Sequence, residues 1–367
     1  MASEAPLAVV IAGGGTGGHL YPGIAVAREI VRRVPGARVT FAGTARGLEA
    51  RVVPKEGFEL DLIRSAGLKG KAIASRLRGL AMVPVSLLDA WRLISRRRPR
   101  VVIGVGGYSS GPVVLSAALR RIPTMVLEQN AQPGFTNRVL ARWVRAAGVA
   151  YEETLAHFGR KGFVAGNPVR AEFFLSAAPS AKADAARPRL LVLGGSQGAH
   201  AVNVAVAAAA PRLASEHPSL DIVHQTGERD LAWARDQYRQ SGVGARAEAF
   251  LDPVAVEMHA ADLAISRAGA TTLAELAASG TPAVLVPLPT ATDDHQRKNA
   301  EVLVGAGAAE MIEQKDLSGA AIAGRIAALI ADAPRRERMA TAARAFARPD
   351  AARVIVDRAL ELAGRER

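Results

Sequence analysis

Short apolar runs and longer segments of helical spacing alternate along the chain, and the same unit is met twice. Residues 7–12 form an apolar run that reads as a buried parallel strand. Five glycines follow within the next six positions, Gly13 to Gly18, where backbone can approach a ligand closely. Ile24, Ala25, Ile30 and Val31 then recur at helical spacing. Further strands are expected at 37–42, 58–63, 101–105 and 124–127, with a helix at 47–55. Gly106 to Pro112 is a second glycine turn ahead of an apolar helix. Residues 176–188 are small, polar and bounded by Pro188, and read as a linker. Beyond them the pattern restarts: a strand at 189–193, the turn Gly194-Gly195-Ser196-Gln197-Gly198-Ala199, and an Ala/Val-rich helix. The strand at 263–266 runs into a small-residue turn and a helix that stops at Gly280. The strand at 283–286 leads into a polar loop that opens another helix near His295.

Strands alternating with helices indicate α/β domains with mostly parallel sheets. The fold class expected is α/β, with two Rossmann-like doubly wound domains facing a central cleft. Residues 1–175 form the first domain and 189–342 the second. The final helix, about 337–363, can pack on either domain, and its part from about 343 is assigned to the first.

Charge sharpens this division. Residues 1–170 hold 25 Lys/Arg and 10 Asp/Glu, a net +15, whereas 171–367 hold 22 and 24, a net −2. The basic half implies nucleic acid, an anionic membrane or a phosphorylated substrate as partner. The absence of cysteine excludes disulfides, thiolate metal sites and Cys nucleophiles. No apolar run is long enough to span a bilayer, and no export signal is expected at the N-terminus.

The strand, glycine turn and helix at 7–31 bring N–H groups and a helix dipole to one point, a natural anion site. His19 lies in that turn and suits proton transfer near neutral pH. Gly13-x-Gly15-x-x-Gly18 matches the dinucleotide fingerprint, but the second strand ends Phe41-Ala42-Gly43-Thr44 with no carboxylate for a ribose, which argues against NAD. The turn also lacks the Gly-Lys-Ser/Thr of a P-loop. Around 270, small residues with Thr271 and Thr272 again suit a phosphate, and Glu275 is placed to accept bonds from two ribose hydroxyls or to be a solvated helix residue. Asp293 or Asp294 reads as an N-cap, and Gln296 as a donor and acceptor for a sugar hydroxyl. There is no Asp-x-Asp and no metal-ligand histidine spacing, so no metal is expected in donor binding; a divalent cation is left a place only in turnover.

Taken together, Gly13 to His19, Gly106 to Pro112, Glu128-Gln129-Asn130, Gly166-Asn167-Pro168-Val169-Arg170, Gly194 to Ala199 and Arg267 to Glu275 resemble the MurG family of N-acetylglucosaminyltransferases, in family order over nearly the whole chain. The resemblance implies a GT-B fold. It also implies inverting transfer of N-acetylglucosamine from UDP-GlcNAc to the 4-hydroxyl of the muramoyl sugar of lipid I, giving lipid II for peptidoglycan. By the same likeness Ser196 and the turn Ala270, Thr271, Thr272, Leu273, Ala274 and Glu275 would hold diphosphate and ribose, the backbone of Leu251 would contact uracil, and Gln296 the donor sugar. Thr16, Gly17, Gly18, Asn130 and Arg170 would close on the donor from the first domain. Tyr108 and Ser109 are acceptor-side candidates. His19 is the first candidate for the base that an inverting transfer needs, and Glu128 the second. Leu127 stands where some members have His, so a His there is not essential.

Two other classes stay open at this point. A UDP-N-acetylglucosamine 2-epimerase shares the two-domain shape and needs no basic apolar patch. A non-catalytic nucleic-acid or membrane binder built on the basic half needs neither Glu275 nor the 194–199 turn. With a lipid-linked acceptor, no nucleic acid is expected. Residues 64–100 carry ten Lys/Arg against one acid, Asp89, around Leu80, Leu87, Leu88 and Trp91. That composition suits an interfacial segment on the anionic cytoplasmic membrane surface, or else a core helix with a solvated Arg face. Other cell-wall synthesis and division proteins are expected partners.

Overall fold

The computed structural model describes residues 6–65, 73–175, 187–195 and 198–364, and side chains throughout these except at 73–81. The chain divides into two compact units, 1–169 with 350–367, and 170–349.

The first unit runs β1 (Ala8–Gly13), α1 (Gly17–Arg33), β2 (Arg38–Gly43), α2 (Glu49–Lys55), β3 (Glu59–Leu62), α3 (Ile73–Arg97), β4 (Val101–Gly106), α4 (Ser110–Leu119), β5 (Thr124–Glu128), α5 (Phe135–Leu140), β6 (Ala146–Val149) and β7 (Gly162–Val164). Its seven strands are all parallel, in the order β3-β2-β1-β4-β5-β6-β7. β1 and β4 are apolar and almost entirely buried, as strands covered by helices on both faces must be.

The second unit runs β8 (Arg189–Leu193), α6 (His200–Glu216), β9 (Asp221–Gln225), α7 (Leu231–Ser241), β10 (Gly244–Glu248), α8 (Val254–Ala260), β11 (Leu263–Ser266), α9 (Ala270–Ser279), β12 (Ala283–Leu285), α10 (His295–Gly305), β13 (Ala309–Met311), α11 (Gly319–Ala331) and α12 (Ala333–Arg344). Its six parallel strands are ordered β10-β9-β8-β11-β12-β13. In both sheets the strand order reverses beside the unit's first strand. The loops after β1 and β4, and those after β8 and β11, therefore open side by side at the carboxyl edge, where doubly wound sheets bind ligands.

Two boundaries differ from the sequence expectation. The closing helix is two helices, because Pro349 cannot continue α12 and biases its predecessor away from helix. α13 (Ala351–Leu362) returns to the first unit, packs on α1, and buries Ile355, Val356 and Ala359 in that core. Residues 170–175, assigned to the first domain, belong to the second: the short helix Ala171–Phe173 packs on α8 and α9, and the Glu172 carbonyl lies 3.1 Å from His259 Nε2. Arg170 goes with them.

Within the basic stretch 64–100, residues 66–72 and the side chains of 73–81, Leu80 among them, lie outside the described residues, and three of the described arginines are paired. Arg64 pairs with Asp89 at 2.8 Å, while Arg96 and Arg97 each reach Asp61 at 2.7 Å. α3 buries Ser86, Ala90, Leu93 and Ile94, and leaves Leu88 and Trp91 about half exposed. It is thus a core helix along one stripe and an apolar surface along another.

Candidate active site

In the first unit the glycine turn is held from beneath by a residue the sequence did not mark. Glu49, 1% exposed, accepts the Gly15 N–H at 2.7 Å through Oε2, and the Thr44 N–H and hydroxyl at 2.8 and 2.9 Å through Oε1. A Cβ on Gly14, Gly43 or Gly47 would run into this carboxylate, so all three glycines are required by its seat. Thr16 precedes α1, and Gly17, Gly18 and His19 form its first turn. The His19 ring lies against Gly106, where a Cβ would meet its Cδ2 at 2.6 Å, and His19 Nδ1 is 3.3 Å from the Thr16 hydroxyl. Gly107 approaches the Gly14 carbonyl just as closely. The two switch-point turns are thereby locked together with the imidazole between them. In the second turn Tyr108 is exposed, whereas Ser109 is buried.

Glu128 closes β5 and is buried. Oε1 accepts the Asn130 backbone N–H and side-chain amide, both at 3.1 Å; Oε2 accepts the Gly134 N–H and the Asn137 amide, both at 2.9 Å. Four donors on two oxygens make this carboxylate the brace of the 129–137 loop.

In the second unit the turn after β8 is equally tight. A Cβ on Gly194 would meet the Ala199 nitrogen at 2.7 Å, and Gly198, at φ 73°, packs on the Thr226 carbonyl. Ser196 lies outside the described residues. α9 begins at Ala270 with no side-chain cap, the arrangement in which a helix N-terminus receives an anion. Thr271, Thr272 and Glu275 share a half-buried face, and Leu273 turns inward. Burial pushes the Glu275 carboxyl up to about 7; Arg170 opposes that shift and Glu172 adds to it. Arg170 itself pairs with Glu172 at 3.0 Å and lies over the Phe173 ring. Arg267 donates to the Val286 and Pro287 carbonyls and to Gln314, tying the turn after β11 to the end of β12. Gln296 accepts the Leu288 N–H at 2.9 Å, which leaves its amide NH2 as the group for a sugar hydroxyl. Asp294 precedes α10 in the left-handed region without a side-chain cap; it pairs with Arg297. Leu251 is buried, and its N–H is bonded to Gln225.

A polar chain runs beneath these loops. The Tyr238 hydroxyl donates to His224 Nδ1 at 2.6 Å, and His224 Nε2 donates to Asn203 Oδ1 at 3.0 Å. Asn203 in turn donates to the Thr226 carbonyl and to Asp230, both at 2.8 Å. Burial pushes His224 down to about 3, so the ring stays neutral and its tautomer follows from these partners. Among the described residues no three His, Asp, Glu or Cys side chains gather as a metal site.

Family models agree with this duplicated architecture. The glycosyltransferase family 28 N-terminal domain matches residues 9–149, and the C-terminal domain of the same family matches 189–355. The chain belongs to glycosyltransferase family 28. A relative from Anaeromyxobacter sp. (strain Fw109-5), a UDP-N-acetylglucosamine–N-acetylmuramyl-(pentapeptide) pyrophosphoryl-undecaprenol N-acetylglucosamine transferase, is 52% identical over 97% of this chain and 94% of its own. The crystal structure of Acinetobacter baumannii MurG superposes with a TM-score of 0.79 at 29% identity, covering 97% of this chain and all of the other. A UDP-N-acetylglucosamine 2-epimerase shares the fold, with a TM-score of 0.67 and 98% of each chain covered, at 13% identity. The family 28 chain and the epimerase are thus alike in architecture, and sequence separates them.

Within the family 28 chain, the first-unit residues Thr16, Gly17, Gly18, His19, Tyr108 and Ser109 are brought together at one switch point. Ala270 to Glu275 stand at the other. Glu49, Gln225 and Arg267 hold these loops; Glu49 and Gln225 were not anticipated, and Arg267 stood in a motif without an assigned role. No spacing marks them, because their partners lie up to 47 residues away in sequence.

Proposed function

We propose that this chain transfers N-acetylglucosamine from UDP-GlcNAc to the 4-hydroxyl of the muramoyl sugar on a pyrophosphoryl-undecaprenol-linked acceptor, with inversion at the transferred carbon. The identity to the Anaeromyxobacter transferase over nearly the full chain carries this reading. The glycine turns and the α9 N-terminus supply N–H donors for the diphosphate, Glu275 accepts the ribose hydroxyls, and the Gln296 amide donates to the sugar. As the bond from the sugar's C1 to the UDP oxygen breaks, the acceptor oxygen bonds to C1 from the opposite face. His19 takes the hydroxyl proton, and the electron pair leaves on UDP. His19 is preferred to Glu128 because protonating Glu128 would take an acceptor from the 129–137 brace and set its proton against the loop's own donors. Donor binding needs no divalent cation, since helix ends and backbone N–H groups supply the positive field.

Product analysis with labelled UDP-GlcNAc tests this reading. With lipid I the label passes into a lipid-linked disaccharide, and without it nothing forms. Formation of UDP-N-acetylmannosamine, or of free N-acetylmannosamine and UDP, in the absence of lipid I would instead indicate an epimerase. Chelator in the same mixture leaves UDP binding unchanged, and loss of calorimetric UDP binding in EDTA would refute metal-free donor recognition.

We infer further that the protein works on the cytoplasmic membrane surface. No helix among the described residues is long and apolar enough to cross a membrane. Leu88, Trp91 and Leu119 are exposed on the packed pair α3 and α4, and the Arg120 guanidinium sits 4.9 Å over the Trp91 ring. Exposed apolar side chains beside arginine suit an anionic interface, each basic residue there contributing on the order of 1 kcal/mol. In flotation assays the protein binds anionic vesicles and is released by high salt. Replacing Leu88 and Trp91 by Ser weakens vesicle binding and leaves UDP affinity intact; a double variant that floats like wild type would place the membrane face elsewhere.

A further inference from the structure

Gln225 closes β9 and is 5% exposed. Its side chain reaches two ways. Nε2 donates to the Gly195 carbonyl at 2.8 Å, in the turn after β8, and Oε1 accepts the Leu251 N–H at 3.1 Å, in the segment after β10. Its own backbone carbonyl accepts the Gly194 N–H at 3.2 Å. β9 lies between β8 and β10 in the sheet, so one buried amide bridges the loops of both neighbours. The strand end that carries it is fixed in turn. The Thr226 N–H donates to the Glu248 carbonyl at 2.9 Å, and the Thr226 carbonyl accepts from Asn203 at 2.8 Å.

We propose that Gln225 is a positioning residue that couples diphosphate binding to base recognition. The inference rests on the UDP reading above, in which the turn after β8 holds diphosphate and the Leu251 backbone meets uracil. The chemistry requires an amide. One end must donate to a carbonyl and the other must accept from an N–H, so neither a carboxylate nor an apolar side chain does both. Because the Leu251 N–H is committed to Gln225, Leu251 offers the base its carbonyl. A carbonyl pairs with the N3–H of uracil and not with the unprotonated N3 of cytosine. Held through Gln225, that acceptor is set at a fixed distance from the phosphate turn, so both ends of the nucleotide are read in one register.

Calorimetry with UDP, uridine and CDP on wild type, Gln225→Met and Gln225→Glu tests this. Gln225→Met removes both bonds: UDP affinity falls about tenfold, the size of one to two lost buried hydrogen bonds, and the preference for UDP over CDP shrinks. Gln225→Glu keeps an acceptor for Leu251 but turns an oxygen toward the Gly195 carbonyl. It loses UDP affinity while uridine binds as in wild type, and donor KM rises with kcat nearly unchanged. A merely structural role would lower the thermal midpoint and leave the ratio of UDP to uridine affinity as it was. UDP binding within twofold of wild type in both variants, or equal losses of UDP and uridine in Gln225→Glu, would overturn the coupling. A wild-type protein that does not bind UDP would remove the reading on which it rests.

Discussion

Replacing Glu275 by Ala lowers kcat/KM for UDP-GlcNAc by about 2–4 kcal/mol, roughly thirtyfold to a thousandfold, through the loss of a charge-assisted hydrogen bond made to ribose. The carboxyl sits on the half-buried face of α9 with Thr271 and Thr272, and burial pushes it up to about 7. The fold therefore favours its neutral form. As pH rises from the usual carboxylate range toward 7, the unfolded chain ionises this group before the folded one does, and stability is lost. A carboxyl kept at such a cost at a helix start points to a ligand. The pH dependence follows with a definite sign. At pH 6 the group is mostly protonated and has given up part of its capacity to accept; at pH 8 it is ionised. UDP-GlcNAc, whose diphosphate diester does not titrate in this window, binds more tightly as pH rises from 6 to 8, and Glu275→Gln flattens the curve. The 2′-deoxy and 3′-deoxy donors lose little more in the Ala variant. If wild type and variant lose equally on deoxygenation, Glu275 does not touch ribose.

The sequence and the structure part company at identifiable places. Strand, glycine turn and helix were legible at 7–31 and at 189–213 because each is local: the apolar period changes within a few residues, and glycine marks the change. The sheet order then places two such turns side by side in each unit, so the site's position follows from topology. The supports beneath the turns were not legible. Glu49 stands in the first turn of a seven-residue helix, where an acid reads as solvated, and its role depends on Gly14 and Gly15 more than thirty residues earlier. Gln225 bridges partners 30 and 26 residues away, on two different loops.

Glu128 shows another limit. Its partners Asn130, Gly134 and Asn137 are close in sequence, yet an acid at a strand end has the same signature whether it braces a loop or removes a proton. The charge of the basic stretch is a similar case. Asp61 and Glu59, which neutralise Arg96 and Arg97, lie just outside the window whose charges were counted.

That limit sets the second large effect, which separates the two base candidates. His19→Asn lowers kcat by about 10²–10⁴, the usual contribution of a positioned general base, while UDP-GlcNAc affinity and thermal midpoint stay near wild type. The ring rests on the backbone of Gly106, is half-buried and lies outside the unit's hydrophobic core, so its replacement takes no apolar side chain from that core. The acidic limb of the kcat profile at saturating donor, set by a base that must be unprotonated, disappears with it. Added imidazole restores part of the rate, as a base free to diffuse into the vacated place should. Glu128→Gln behaves differently. It turns an amide NH2 toward at least one of the Asn130, Gly134 and Asn137 donors, where two donors then meet and a buried N–H goes unpaired. The thermal midpoint falls, and whatever activity is lost is lost without a change in the shape of the pH profile. A His19→Asn enzyme that keeps kcat within about threefold of wild type, or a Glu128→Gln enzyme that loses the acidic limb at unchanged stability, would move the base from the glycine turn to the end of β5.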